Sequence, residues 1–129
     1  MNELIVILLP LIMQVESGGD PKAVGDNGLA RGAYQIHAAY WTDGCEALGV
    51  NWPYKDAFDA QKSEKVVRAY LDRYGRHYER KTGKKATLEV LAALHCAGPD
   101  GWKQLKEKKV AEYVSKINKC LKETKNGGL

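Results

Sequence analysis

An apolar run that stops at two glycines constrains this chain more than any other feature. Residues 4–15 are almost all apolar, and they are followed by Glu16, Ser17 and a Gly-Gly pair. Glycine can adopt the left-handed backbone that closes a helix, so paired glycines indicate a helix end. We therefore predict a helix over residues 4–17, with a local irregularity at Pro10 because proline lacks a backbone donor. This helix places a carboxylate at the end of an apolar face.

The same run has the apolarity of a signal-peptide core, but its flanks differ from those of a signal peptide. Glu3 stands where a basic flank is expected, and no small-x-small cleavage site follows. The run is also too short to span a bilayer. We expect a buried first helix and no stable insertion into a membrane.

Composition suits one domain and several kinds of partner. The chain has 129 residues, 44% of them apolar, and a net charge of +4, which suits one core over residues 1–129. The small positive excess fits an anionic polymer or surface, and equally a protein that is simply kept soluble. Cys45, Cys96 and Cys120 have no metal-binding spacing and allow one disulfide at most. We expect no metal and no cofactor.

Turn-forming residues divide the rest of the chain into short elements. The Asp-Asn-Gly sequence at 26–28 is typical of a hairpin turn, here between residues 23–24 and a segment that ends at Ile36. Helical periodicity predicts helices over residues 38–48, 59–80 and 88–96, and one or two more over 102–109 and 110–123. We expect loops at 51–54 and 98–101 and fraying at 126–128. The predicted fold class is α+β, mostly α, with a helical core and a small β-hairpin.

Glu16 and Asp26 are carboxylates in contrasting surroundings. Glu16 follows the apolar stripe of the first helix, and partial burial favours a carboxyl group that keeps its proton. Asp26 stands in a polar turn, which favours the ionised form. One protonated and one ionised carboxyl group form the pair that cleaves glycosidic bonds. Taken alone, a glutamate near a helix end is more often a solvated residue, and an aspartate before Asn-Gly is more often a turn former.

Two motifs are similar to those of the lytic transglycosylases of the lysozyme superfamily. The first begins with Glu16-Ser17 and ends, after Gly28 and Gly32, in Gln35-Ile36. In that family a catalytic glutamate opens the motif and a Gly-rich hairpin closes it. The second, Leu-Ala-Ala-Leu-His-Cys-Ala-Gly-Pro at residues 91–99, resembles the family's Ala-Tyr-Asn-Ala-Gly motif. Here a histidine and a cysteine replace the tyrosine and asparagine.

The chain also resembles the invertebrate-type lysozymes, or destabilase family, from about residue 11 to about residue 120. The shared patterns are Val-Glu-Ser-Gly at 15–18, Tyr-Gln-Ile at 34–36, Tyr-Trp-x-Asp at 40–43 and His-x-x-Gly-Pro-x-Gly at 95–101. Asp26 falls about one residue from the position of that family's second catalytic aspartate. The chain lacks the family's many cysteines.

These resemblances imply a lysozyme-like fold with a cleft beside the hairpin. They also imply cleavage of the β-1,4 bond between N-acetylmuramic acid and N-acetylglucosamine in peptidoglycan, with Glu16 as general acid and Asp26 as second carboxylate. The substrate-binding residues would be Ser17, Tyr34, Gln35, His37, Tyr40, His95 and Gly98. We expect a monomer that acts on the glycan strand in the periplasm, the cell envelope or outside the cell, with an export signal that is not present in this chain.

Other interpretations stay open at this point. If Glu16 serves alone as acid and then base, the chain is a lytic transglycosylase that releases 1,6-anhydromuramyl products. An inactive glycan-binding module on the same fold is an alternative of another class. Only the charge supports a nucleic-acid-binding domain, and we expect no nucleic-acid partner. Some destabilases also have isopeptidase activity, but no matched Ser-Lys or Ser-His pair supports it here.

Overall fold

In the computed structural model, which describes residues 1–126, a β-hairpin lies between the first two of five α-helices. The helices are α1 (Asn2–Ser17), α2 (Ala38–Leu48), α3 (Ala60–Thr82), α4 (Leu88–Ala97) and α5 (Lys108–Asn126). The strands are β1 (Val24–Gly25) and β2 (Ala30–Arg31). The predicted α+β class, dominated by helix, is confirmed. The fraying expected at Gly127 and Gly128 lies outside the described residues.

Helix α1 is anchored on three sides and ends where predicted. It packs against α3, α4 and α5, and Gly18 closes it with φ 67°, a backbone that residues with a Cβ atom rarely adopt. The irregularity expected at Pro10 is wrong, because α1 continues through it. Pro10 lies on the exposed side, where water can bond the carbonyl that lacks a partner. None of the helices in residues 1–126 is long and apolar enough to cross a bilayer.

The next three helices have capping residues at their ends and lie close to the predicted ranges 38–48, 59–80 and 88–96. Helices α2 and α3 end immediately before Gly49 and Gly83. The Asp59 carboxylate accepts the first free N–H groups of α3, and the Thr87 hydroxyl accepts one from α4. Side-chain oxygens in these positions satisfy donors that the helix itself cannot.

The hairpin is docked onto the rest of the molecule by a close backbone contact. Its strands are antiparallel, with Val24 opposite Arg31 and Gly25 opposite Ala30. Residues Asp26–Gly28 form the 3-10 turn between them. Gly32 has φ 83° and lies so close to the carbonyl of Ala57 that no side chain would fit there. The hairpin is therefore held beside the end of α1.

The helix predicted over residues 102–109 is wrong. A 3-10 helix, Gly101–Gln104, takes its place, and α5 begins only after a further turn. Gly101 is buried against a main-chain carbonyl of α4. A 3-10 helix has three residues per turn, so Trp102 and Leu105 lie on the same side, and both pack on the core. Close contact with α4 favours the tighter helix here.

All three cysteines are free, which answers the question of pairing that the sequence left open. Cys45 is buried and the other two are partly buried. The described fold is therefore held by apolar packing and hydrogen bonds without a covalent cross-link between cysteines.

Candidate active site

The Glu16 carboxylate is held by side chains from two other helices. Its Oε2 atom lies 3.0 Å from the hydroxyl oxygen of Tyr113 on α5. The same atom lies 3.4 Å from Nε2 of His95 on α4. The Glu16 side chain keeps 22% of its surface exposed, so solvent and substrate can reach it. The end of α1 thus presents an accessible carboxyl group in a fixed orientation.

His95 is almost completely buried beside this carboxylate. Its side chain is 2% exposed. Its Nε2 lies 3.0 Å from the carbonyl oxygen of Tyr34, and its Nδ1 lies 2.8 Å from the hydroxyl oxygen of Tyr40. Both ring nitrogens therefore have partners, as a buried polar side chain requires. His95 connects the hairpin, α2 and the acid on α1.

Tyr113 acts as a permanent donor to Glu16. Burial, and after it the negative charge of Glu16, raises the pKa of Tyr113 far above its usual value, so the hydroxyl keeps its hydrogen. Oε2 of Glu16 thus has one hydrogen-bond donor, with His95 Nε2 nearby at 3.4 Å, whereas Oε1 has no donor among the described residues. Oε1 is the oxygen left to carry an exchangeable proton.

A cavity of about 480 Å³ opens beside this cluster. Ligand sites in proteins span roughly 300–1,000 Å³, so a sugar unit is within its capacity. One wall is formed by the rings of Tyr40 and Tyr70, which stack with their centroids 3.6 Å apart. Glu16 lies beside His95, and His95 is one of the residues that line this cavity. Five of the predicted binding residues line the cavity: Gln35, His37, Tyr40, His95 and Gly98.

Ser17 joins α1 to the hairpin. Its hydroxyl donates to the carbonyl oxygen of Ala33 at 2.7 Å. It also accepts the N–H groups of Gly19 and Asp20 at 3.2 and 3.1 Å. These bonds tie the residue next to Glu16 to the hairpin backbone, which is the structural role that a short polar side chain suits.

Tyr34 contributes its main chain to the site. Its side chain is buried in the core, with 4% of the residue exposed. The group that faces the cluster is its carbonyl oxygen, which accepts from His95. The ring is therefore part of the core and is not among the residues that line the cavity.

Gln35 lines the cavity but turns its amide toward the hairpin. Its Nε2 donates to the carbonyl oxygens of Ala23 and Gly32, at 3.2 and 3.0 Å. These bonds use both amide hydrogens. Its backbone has φ 52°, which the two bonds help to hold. Only Oε1, which lies against Gly25, is left to contact a substrate.

Asp26 has a partner of its own. Its Oδ2 atom lies 3.2 Å from Nε2 of His37, and the two side chains are 59% and 50% exposed. Asp26 has φ 51°, a conformation that aspartate adopts more readily than most residues. The two predicted carboxylates thus have separate partners: Glu16 bonds to the buried cluster, and Asp26 bonds to a histidine that lines the cavity.

Most of the chain matches the model of one protein family. The destabilase family model matches residues 8–120. The chain belongs to the destabilase family. The resemblance inferred from the motifs is thereby confirmed, and membership implies a lysozyme-like hydrolase of the glycosidase or isopeptidase type. No curated protein matches the chain in sequence.

Sequence reasoning on this destabilase missed Tyr113, which lies 97 positions after Glu16. The signal was present in its spacing on α5. Tyr113 follows Val110 by three positions and precedes Ile117 by four, and both of these are buried. Such spacing places Tyr113 on the inward face of the helix, but it does not show which carboxylate the hydroxyl meets.

Asp43 is a second residue of the site that was not predicted. It lines the cavity, accepts a hydrogen bond from the hydroxyl of Tyr74 and lies 2.9 Å from Nη1 of Arg73. Both partners belong to α3, so Asp43 ties α2 to α3 beneath the cavity. The Tyr-Trp-x-Asp pattern of the destabilase family contains this residue and was its only signal in the sequence.

Cys96 lines the same cavity as a protonated thiol. Burial, and after it the charge of Glu16, raises the pKa of Cys96, which disfavours the reactive thiolate. Within residues 1–126, no three His, Cys, Asp or Glu side chains come together in a way that would hold a metal ion. Among the described groups, the carboxyl of Glu16 is the best placed to move a proton.

Proposed function

We propose that this chain is a muramidase, a glycoside hydrolase that cleaves the β-1,4 bond between N-acetylmuramic acid and N-acetylglucosamine in peptidoglycan. Glu16 is the general acid and Asp26 is the second carboxylate. Residues 1–129 form one catalytic domain, which acts as a monomer on the glycan strand outside the cytoplasm. The observation that carries the proposal is the carboxyl group of Glu16, which is bonded by Tyr113 at Oε2, keeps Oε1 without a partner among the described residues, and lies beside His95 in the wall of a cavity that can take a sugar.

The hydrogen bond from Tyr113 favours the acid step. A proton on Oε1 passes to the glycosidic oxygen as the bond to the sugar carbon breaks, and Glu16 becomes negative. The Tyr113 hydroxyl lies 3.0 Å from Oε2 and bonds a carboxylate more strongly than a neutral carboxyl group. It therefore stabilises the charge that develops in the transition state, and the His95 Nε2–H, 3.4 Å from the same oxygen, adds a favourable dipole.

Asp26 supplies the negative charge that the breaking bond needs on the sugar side. The sugar ring becomes positive as the leaving oxygen departs, and the second carboxylate of a glycosidase stabilises that charge or forms a bond to the anomeric carbon; water then adds to that carbon, and a carboxylate takes its proton. His37, with Nε2 3.2 Å from Oδ2, helps to position the carboxylate. The anomeric form of the first product, measured by NMR, distinguishes retention from inversion.

Glycosidic cleavage is better supported than isopeptide cleavage. Isopeptide cleavage needs an activated nucleophile. Among the described residues, His95 is engaged with Tyr40 and Glu16, and His37 with Asp26. Burial raises the pKa of the Cys96 thiol in the cavity wall, so this group is poorly activated.

The test compares Glu16→Gln with Glu112→Gln in a turbidity assay on purified bacterial walls. Glu112 is an exposed residue of α5, so its variant makes the same chemical change away from the site. We expect Glu16→Gln to lower lysis by at least about 100-fold and the control to match the wild type, with both melting like the wild type. Full lysis by Glu16→Gln would overturn the proposal. Wall binding without lysis by the wild type would favour an inactive glycan-binding module.

Lytic transglycosylase activity is the second candidate, and the separate partners of Glu16 and Asp26 favour it. In that reaction Glu16 acts first as acid and then as base, and the muramyl C6 hydroxyl attacks to form a 1,6-anhydro ring. Mass spectrometry of digested peptidoglycan distinguishes the reactions by their products. If the wild type produces reducing ends and Asp26→Asn does not, the muramidase is supported. If the wild type produces 1,6-anhydro ends and Asp26→Asn still does, the transglycosylase is supported.

A further inference from the structure

We infer that Tyr40 is a positioning residue for the acid step. By donating its hydroxyl hydrogen to Nδ1 of His95, it keeps the imidazole neutral, so that the catalytic proton stays on Glu16. The inference rests on the proposed role of Glu16 as general acid. It assigns Tyr40 a task that differs from lining a sugar site.

The first step is the hydrogen on Nε2 of His95. This nitrogen lies 3.0 Å from the carbonyl oxygen of Tyr34 and 3.4 Å from Oε2 of Glu16. A carbonyl oxygen has lone pairs and no hydrogen, so the bond exists only if Nε2 carries the hydrogen. A His95 imidazole without a hydrogen on Nε2 is therefore excluded.

The second step is the lone pair on Nδ1, 2.8 Å from the hydroxyl oxygen of Tyr40. Burial, and after it the neighbouring Tyr70 and Glu16, raises the pKa of Tyr40 well above its usual value, so this hydroxyl keeps its hydrogen. His95 is its one hydrogen-bond partner among the described residues. If Nδ1 were protonated, the hydroxyl hydrogen of Tyr40 would lose that acceptor. The neutral imidazole with hydrogen on Nε2 satisfies every group.

The third step is the competition between two sites for one proton. Glu16 and His95 lie 3.4 Å apart, and the pair carries the same net charge with the proton on the carboxyl group or on the imidazole. Only the carboxyl proton can reach a leaving oxygen in the cleft, because the His95 side chain is 2% exposed. The hydrogen bond from Tyr40 occupies the remaining lone pair of the imidazole and so favours the productive arrangement.

The groups around the imidazole are consistent with a neutral ring. The titratable side chains that act on this cluster come from every helix packed around it. They are Glu16 on α1, Tyr40 and Asp43 on α2, Tyr70 on α3, Cys96 on α4, and Lys109 and Tyr113 on α5. The carboxylates among them are Glu16 and Asp43, and Asp43 is paired with Arg73 on α3, so the surrounding charges do not require a second proton on His95.

The direct test is ¹⁵N NMR of the histidine side chains, which distinguishes protonated from unprotonated ring nitrogens without any substrate. In the wild type, we expect His95 to show a protonated Nε2 and an unprotonated, hydrogen-bonded Nδ1 across the pH range of activity. In Tyr40→Phe, the Nδ1 signal should lose the shift caused by the hydrogen bond. Tyr70→Phe, which removes a hydroxyl from the other ring of the stack, should leave the His95 signals unchanged. Protonation of Nδ1 in the wild type would overturn the inference.

The functional test is the pH profile of wall lysis by Tyr40→Phe, which retains the stacked ring. A free Nδ1 lone pair can take the proton, and an imidazolium next to Glu16 favours the ionised carboxylate. We expect kcat to fall about tenfold with little change in KM, and the alkaline limb of the profile to move to lower pH. An unchanged profile together with unchanged NMR signals would refute the role of Tyr40. Because NMR needs no turnover, absence of lysis by the wild type would count against the proposed function and not against the tautomer.

Discussion

Tyr113 donates its hydroxyl hydrogen to Oε2 of Glu16 at 3.0 Å, across 97 positions of the chain. The bond joins the first helix to the last. Because the bond occupies Oε2, Oε1 is the oxygen of Glu16 that has no hydrogen-bond partner among the described residues. The acid is therefore a product of the tertiary fold, although its position on α1 follows from local sequence.

Removal of this donor should lower the rate. Tyr113→Phe loses a hydrogen bond to a charged group, which contributes about 1.5–3 kcal/mol, or roughly 10- to 100-fold in kcat. The measurement is kcat of wall lysis. The control is Tyr78→Phe, on the ring that packs against Trp102, and a Tyr113 variant with the wild-type kcat would contradict the role assigned here.

Ser17→Ala should lower stability more than activity. The change leaves the carbonyl of Ala33 without the donor that lies at 2.7 Å, and it removes one of two acceptors from the N–H groups of Gly19 and Asp20. We expect a loss of about 1–3 kcal/mol in the free energy of unfolding, measured by urea denaturation. Ser115→Ala, at an exposed position of α5, should stay within about 0.5 kcal/mol. Equal stabilities of the two variants would show that the link to the hairpin contributes little.

The Asp26–His37 pair should matter for activity and hardly at all for stability. Both side chains are at least half exposed, and exposed ion pairs contribute about 0–1 kcal/mol. Asp26→Asn and His37→Gln should therefore melt like the wild type. If Asp26 is the second carboxylate, Asp26→Asn should lower hydrolysis by at least about 100-fold, and His37→Gln should have a smaller effect. Normal hydrolysis by Asp26→Asn would remove Asp26 from the mechanism.

Stability should fall at alkaline pH because three buried tyrosines resist ionisation. Burial is the main cause that raises the pKa of Tyr40, Tyr70 and Tyr113 above the ordinary 10.0. The unfolded chain releases these protons first, so the stabilisation is complete below pH 10 and is lost as pH rises from there toward the folded-state values. Each tyrosine contributes up to about 1.4 kcal/mol per pH unit in that window. Urea unfolding at pH 9 and 11 measures the slope, which should be shallower in Tyr113→Phe.

The cysteines should behave as three thiols. Denatured protein, prepared without reductant, should react with three equivalents of a disulfide reagent. Reductant should leave the melting temperature unchanged, because no cross-link constrains the unfolded chain. In the folded protein, burial raises the pKa of Cys96, so its alkylation should be slow at neutral pH and faster as pH rises. A titration of one thiol would show that a disulfide had formed.

Local chemistry made the helix ends predictable. Gly18, Gly49 and Gly83 end three helices, and Asp59 and Thr87 begin two, because caps depend on residues within one turn. The error at residues 102–109 has the opposite origin. There a long-range contact between Gly101 and α4 selects the 3-10 form, and helical periodicity does not report it.

The sequence predicted several residues of the site, but it did not predict which groups these residues bond to. The position of Glu16 at the end of α1 and the presence of His95 at the cavity both follow from motifs near them. The pairing of Tyr113 with Glu16 depends on how α5 packs against α1. The role of Gln35 depends on which backbone oxygens its amide reaches, Ala23 and Gly32. Which groups become hydrogen-bond partners depends on the distances between them in the folded structure, and sequence spacing does not give these distances.

The link between the two ends of the chain has a consequence for the time at which the enzyme becomes active. During synthesis Tyr113 leaves the ribosome 97 residues after Glu16. Until α5 is complete and docked, the carboxylate lacks its hydrogen-bond donor and is not the acid described above. Catalytic competence should therefore arise only after α5 has been made and has docked, and the gain of the proposed lytic activity would report the docking of α5.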